Sequence, residues 1–130
     1  MGYGASGRIL RVDLTSGQWR VETLPEDVYR LYPGGKALAG YLMLREFVSG
    51  TDPLSPDAVL VVANGLLTGA PVSTASRFTV AGRSPLTGAY GESEAGGYFG
   101  PELKAAGYEA IVVTGRAASP VYLSIRDADV

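Results

Sequence analysis

Arg77, Glu94 and the pair Gly96-Gly97 are the residues of this sequence best suited to holding an anion. All lie in one stretch, RFTVAGRSPLTGAYGESEAGGYFGPELKAAGYEAIVV, from Arg77 to Val113. A guanidinium is permanently charged and presents a planar fork of donors that matches phosphate or carboxylate. Phe78 and Val80 alternate with Thr79 in a strand-like run, which sends Arg77 and Thr79 to the face opposite the apolar pair. Arg77 is therefore directed at a ligand, or at one of the thirteen acidic residues as a surface ion pair. Gly96-Gly97 stands ahead of a helix-forming run, where bare amides and the helix dipole favour a flat or anionic ligand. A tight strand-to-helix turn explains the same pair. Glu94 could orient a nitrogen-rich ring or help hold a cation, and as a lone exposed glutamate it would mean nothing. Tyr98 and Phe99 read as core, and Arg83 and Lys104 as solvated charges.

The elements that must position these residues follow from periodicity. Leu10, Val12 and Leu14 alternate with charged residues, a turn follows at Thr15-Ser16-Gly17, and Trp19 and Val21 alternate again, which predicts an antiparallel hairpin with one buried face. Pro25 to Tyr32 predicts a short helix, proline suiting its first turn. Lys36 to Val48 predicts a second, with Ala37, Tyr41, Leu44 and Val48 on its apolar face; Gly34 and Gly35 precede it as a glycine loop or an anion-attracting helix end. Ala58 to Ala63 is a continuously apolar run of strand length, so it reads as a strand buried on both faces. Asn64 to Thr74 is a loop. Strands are predicted over Arg77–Ala81, Ala89–Ala95, Ala110–Val113 and Val121–Ile125, and a third helix over Tyr98–Ala106, stopped by Gly107. Each helix that follows a glycine pair leads into a buried strand, a hint of internal duplication. Without a regular βαβα alternation, the expected class is α+β, with mixed or antiparallel sheets and two to three helices in one domain, 1–130.

Composition narrows the functions. The chain is 46% hydrophobic and 18% charged, which suits a globular core. Eleven basic against thirteen acidic residues, a net charge of −2, give a nucleic-acid or anionic-membrane partner no electrostatic support. No apolar run approaches the roughly 20 residues of a bilayer span, and no signal pattern opens the chain; the expected location is the cytoplasm. Cysteine and histidine are both absent, which removes thiolate and imidazole chemistry from these 130 residues. The opening GYGASG has the spacing of a dinucleotide fingerprint, but it leads into a strand and not a helix, so the motif lacks its mechanism. MGYGAS also fits the loose myristoylation pattern, for which a plain glycine-rich N-terminus is the simpler reading.

The ordered set GRILRVDLTSG, GGKALAGYLMLRE, DPLSP and GRSPLTGAYGESEAGGYFGPELKAAGYEAIVVTGRA resembles the N-terminal domain of the tungsten-dependent aldehyde ferredoxin oxidoreductases across essentially the whole chain. The resemblance implies a base on which a tungsten bis-molybdopterin cofactor rests, with a helical part of the enzyme outside this sequence supplying the remaining contacts and four cysteines for a [4Fe-4S] cluster. It places Arg77 between a pterin and the cluster, and Glu94, Ala95, Gly96 and Gly97 against pterin and phosphate. A backbone carbonyl there would assist the magnesium that bridges the two pterin phosphates. Glu94 stands where asparagine is common in the family, so the resemblance implies a role for its backbone carbonyl and not for its side chain; Lys36 and Ala37 depart from the usual GGRGLA, and no site is carried over to them.

What the resemblance implies about function is oxidation of an aldehyde to a carboxylic acid, with ferredoxin as electron acceptor. The partners are then ferredoxin, the aldehyde and the C-terminal domains of a longer enzyme, with a homodimer left open. The chain would be the N-terminal piece of that enzyme and inactive by itself. No residue of it is expected to ligate a metal or transfer a proton. The competing reading is a free-standing anion- or pterin-binding module, or a structural interaction domain.

Overall fold

A computed structural model describes residues 5–127 and 129–130; of the GYGASG opening, Gly2, Tyr3 and Gly4 lie outside the described residues, as does most of MGYGAS. Strands β1 (Arg8–Asp13) and β2 (Gln18–Thr23) form the expected hairpin. Helices α1 (Glu26–Leu31) and α2 (Gly35–Glu46) follow, then β3 (Leu60–Asn64), β4 (Phe78–Arg83), β5 (Tyr90–Ala95), α3 (Phe99–Ala105) and β6 (Ala110–Thr114). All six strands join one sheet in the order β2-β1-β6-β3-β4-β5. Only β1 and β6 run parallel, so the sheet is mixed and the fold is α+β.

The sheet is covered on both faces because alternate residues of its central strands are apolar in both directions. One face buries Ile9, Val61, Ala63, Ala81, Ala110 and Val112 against Leu38, Ala39 and Leu42 of α2. The other buries Leu10, Val12 and Ile111 with Leu103 of α3 and Tyr108. The strand order reads alike from either edge when the first hairpin-helix-strand set is exchanged for the second. Strand sense breaks that likeness, since β1 runs parallel to β6 whereas β4 runs antiparallel to β3.

Three expectations need correction. The buried face of α2 is Leu38, Ala39 and Leu42, not Ala37, Tyr41, Leu44 and Val48; Leu44 is 78% exposed, and Val48 lies beyond the helix. Apolar residues at 37–39 and 41–44 occupy most of the helix circumference, so spacing alone does not single out a stripe. In β4 the fully buried residues are Thr79 and Ala81, facing α2, while Phe78 and Val80 are half-buried on the other side. Val121–Ile125 forms no strand; it runs beside the second core and ends in an isolated bridge between Arg126 and Asp129.

The hairpin is tied to the end of α2 by charges. Arg11 bonds Glu22 through Nε and reaches Glu46 at 2.9 Å, and Arg45 reaches Glu22 at 2.7 Å. Burial opposes ionisation of Glu22, yet the guanidinium groups of Arg45 and Arg11 outweigh it and hold its carboxyl below the ordinary 4.5. A lowered folded-state pKa stabilises the fold above pH 4.5, and the stabilisation is lost as the pH falls through the folded value. Glu22→Gln is therefore expected to lower stability by about 1 kcal/mol at neutral pH and by much less in acid. Urea unfolding of both proteins at neutral and acidic pH checks this; an equal gap at both would assign the loss to packing.

Candidate functional site

The sequence brings five backbone features to one end of the sheet. β3 and β5 end there, β4 begins there, and α2 and α3 start beside them. Gly34, at the entry to α2, forms an isolated bridge with Gly65, at the exit of β3. The amide of Gly65 donates to the carbonyl of Arg77 at 3.0 Å, and the hydroxyl of Thr68 donates to the same carbonyl. Phe78 pairs with Ala95 across the β4–β5 ladder, which leaves Arg77 opposite Gly96. A Cβ on Gly96 would meet Ser76 Oγ at 3.3 Å and the Arg77 side chain at 4.0 Å. Gly34, Gly65, Arg77 and Gly96 thus form one continuous strip of main chain.

The strip is kept thin by its glycines and firm by the core behind it. Gly97 has φ of 93° and open space where a side chain would project. Phe99 follows at the start of α3 and packs on Phe78, ring centroids 4.9 Å apart, so the glycine pair is held by the strand that carries Arg77. Asn64, fully buried, donates its side-chain amide to the Tyr108 carbonyl at 3.3 Å and closes the end of β3. The 65–77 loop encloses a cleft of about 160 Å³ lined in part by Thr68, Ser73, Thr74 and Arg77. Thr74 has φ of 68° there, a backbone conformation rare for a β-branched residue.

The predicted residues divide into two groups. Arg77, Ala95, Gly96 and Gly97 are exposed and adjacent, and among the described residues the Arg77 guanidinium has no carboxylate at ion-pair distance. Glu94 is not free in the same way. It lies opposite Thr79, toward α2, where Lys36 Nζ stands 3.3 Å from it and 3.1 Å from Glu92. Hydrogen bonds to Glu92 and Glu94 raise the pKa of Lys36.

Other side chains depart from their sequence reading. Tyr98 is 87% exposed at the lip of the glycine pair and not in the core, and Phe99 is half exposed. Arg83 is not a solvated charge: its guanidinium donates to the carbonyls of Gly88 and Thr51 and lies 5.6 Å from the Phe47 ring. Lys104 is only 15% exposed, donating to the Leu66 carbonyl at 2.8 Å and standing 3.3 Å from Glu109. Glu109, fully buried, is missed by the sequence reading; its signal is a lone charge between Tyr108 and the apolar run that forms β6.

The fold is an α+β domain on one mixed sheet, with β3, β4, β5, α2 and α3 meeting at one end of it. Residues 9–130 match the family described as "Aldehyde ferredoxin oxidoreductase, N-terminal domain", and the chain belongs to that family. It is 47% identical over 125 residues to the tungsten-containing aldehyde ferredoxin oxidoreductase of Pyrococcus furiosus and 44% identical to that of Thermococcus kodakarensis, covering 96% of this chain and 21% of each relative. An aliphatic sulfonate oxidoreductase, WOR-like subunit, from Pyrococcus furiosus is 34% identical over 128 residues, 96% of this chain and 20% of its own. Among solved structures, the active site complex BamBC of benzoyl coenzyme A reductase with 1,5-dienoyl-CoA contains a chain that superposes with a TM-score of 0.95 at 34% identity, covering 99% of this chain and 20% of that one. The chain spans about a fifth of the length of the relatives it matches.

Proposed function

We propose that this chain is the cofactor-base domain, 1–130, of a tungsten-dependent aldehyde ferredoxin oxidoreductase. Arg77 and the main chain of Glu94, Ala95, Gly96 and Gly97 form one wall of its tungsten bis-molybdopterin site. The observation that carries the reading is Arg77, exposed, without an acidic partner among the described residues, and lying along Gly96. Such a surface fits the group: a planar, phosphate-bearing ligand needs a cation with donors in a plane and main chain it can touch. The space in front of Gly97, which a Cβ would begin to fill, meets the second need. Lys36 pairs with the Glu94 carboxylate, so the contribution of Glu94 would be its backbone carbonyl, an oxygen suited to a magnesium ion bound with the pterin phosphates.

The bound group supplies the redox chemistry, and the residues of this domain fix and charge-balance it. With no cysteine in the chain, the ligands of a [4Fe-4S] cluster come from the remainder of the enzyme. The reaction is oxidation of an aldehyde to a carboxylic acid, with ferredoxin as electron acceptor, in the cytoplasm. Relatives of this domain bear names for quite different substrates, from aldehydes to a sulfonate. The choice of substrate is accordingly assigned to the other domains.

Arg77→Gln in the full-length protein is expected to weaken retention of the pterin at least tenfold, since a charge-assisted bond contributes about 1.5–3 kcal/mol. Oxidative release of pterin as a fluorescent product, counted per polypeptide after dilution and gel filtration, measures it. Unchanged retention would overturn the assignment of Arg77. The isolated 130-residue chain should show no aldehyde turnover with an artificial electron acceptor, and turnover by it would sink the role of a base alone.

A further inference from the structure

We infer that Lys104, held by the buried carboxylate of Glu109, is a positioning residue that sets the 65–77 loop and through it the placement of Arg77. The inference rests on the reading of Arg77 given above. Glu109 is 1% exposed, and its carboxylate is fully engaged: Oε1 accepts the Ser6 amide at 2.7 Å, and Oε2 accepts the Tyr29 hydroxyl at 2.9 Å and lies 3.3 Å from Lys104 Nζ. Tyr29 remains a donor to it, because burial and the neighbouring carboxylate both push its pKa upward. The carboxylate is thus anchored to the chain before β1, to α1 and to the start of β6. Lys104 is its only link to the loop among the described contacts.

The ammonium of Lys104 makes its second bond to the carbonyl of Leu66, 2.8 Å away. Leu66 adjoins Gly65, whose amide holds the Arg77 carbonyl, and Thr68, two residues on, holds that same carbonyl with its hydroxyl. Both ends of the loop are therefore fixed to one another at the Arg77 carbonyl, and the pair of ends is fixed to the core by Lys104. α3 reinforces the same seam, since a Cβ on Gly69 would stand 3.8 Å from Pro101 and 4.0 Å from the Lys104 side chain. Leu66 and Leu67 are exposed, so the loop has little apolar burial of its own to keep it in place. A charged donor reaching a loop carbonyl replaces that missing burial.

α3 carries Lys104 at its last turn and follows Gly96-Gly97 at its first, so one short helix connects both halves of the proposed wall. Displacing the helix from the loop would shift Gly96 relative to Arg77, its neighbour across the end of the β4–β5 ladder.

The test uses the full-length protein and the paired substitution Lys104→Met with Glu109→Gln. Removing Lys104 alone leaves a buried carboxylate without its cation, whereas the pair removes both charges and keeps one acceptor oxygen for the Ser6 amide, its new amide nitrogen facing the Tyr29 hydroxyl as a donor. The expected result is amide exchange over residues 66–70 faster by about tenfold, the loss of one charge-assisted hydrogen bond, together with a several-fold loss of retained pterin. Lys104→Arg should restore both. Adding Arg77→Gln to the pair should lower pterin retention no further than Arg77→Gln alone, because Lys104 acts through Arg77. Unchanged exchange in the paired variant overturns the tether, and losses that multiply in the combined variant overturn its action through Arg77. If Arg77→Gln itself retains pterin, the cofactor reading fails while the exchange result still decides whether Lys104 holds the loop.

Discussion

Gly34→Ala is expected to destabilise the chain by about 4 kcal/mol, the sum of two separate penalties. Gly34 has φ of 83° and ψ of −178°, a region that is essentially reserved for glycine and costs other residues about 1–3 kcal/mol. The added Cβ would also stand 2.6 Å from the Asn64 carbonyl oxygen and 2.8 Å from the Leu66 amide nitrogen. Both neighbours are backbone atoms at the exit of a central strand, so neither can rotate away, and overpacking of this kind costs about 1–3 kcal/mol. For a chain of this size the midpoint of thermal unfolding should fall by roughly 10–15 °C. The bridge between Gly34 and Gly65 would open, and the Gly65 amide would leave the Arg77 carbonyl. Gly40→Ala is the control: outside its chain neighbours and the backbone of its own helix, no atom lies within 4 Å of its Cβ position, φ is not in the left-handed region, and the site is inside α2. There alanine should stabilise by roughly 0.5–1 kcal/mol. Scanning calorimetry of the two variants separates the cases, and equal effects would show that glycine composition, not the close approach, matters at residue 34.

Glu109→Ala should be of similar size, about 3–5 kcal/mol, because it leaves a largely buried ammonium without its counter-charge. It also strips the acceptor from the Tyr29 hydroxyl and the Ser6 amide. Glu109→Gln keeps an acceptor oxygen and should recover part of the loss. Tyr29→Phe isolates one arm of the network. The folded-state pKa of Tyr29 is raised by burial and by Glu109, so its stabilising bond is fully present below the ordinary tyrosine value of 10.0 and is lost as the pH rises above it. The wild-type chain should therefore lose stability more steeply than Tyr29→Phe above pH 10, by at most about 1.4 kcal/mol per pH unit. Denaturant midpoints of both proteins on either side of that pH check the sign, and parallel slopes would remove Tyr29 from the account.

The sequence by itself determined the local elements and the position of the candidate wall. Alternation and turn residues located the turn of the first hairpin to within a residue, and proline or glycine marked both ends of α1 and α3 and the start of α2. The adjacency of Arg77 to Gly96 was implicit in two strands joined by the SPLTG turn, since a hairpin places its outer residues opposite one another. The proposed identity of the anionic ligand was not written in composition or spacing; it rests on the resemblance of whole motifs in order.

Tertiary structure alone decided which side each element turns inward. α2 is apolar around most of its circumference, and only the shape of the sheet face against it chose Leu38, Ala39 and Leu42. β4 likewise has residues able to pack on either side, and two covered faces buried Thr79 and Ala81 more deeply than Phe78 and Val80. Lys36 and Lys104 illustrate the same limit for charge. Their partners, Glu94 and the Leu66 carbonyl, lie 58 and 38 residues away in the chain. A contact of that separation is fixed by strand order, which no local pattern encodes, and it is what distinguishes a solvated lysine from one that holds a loop.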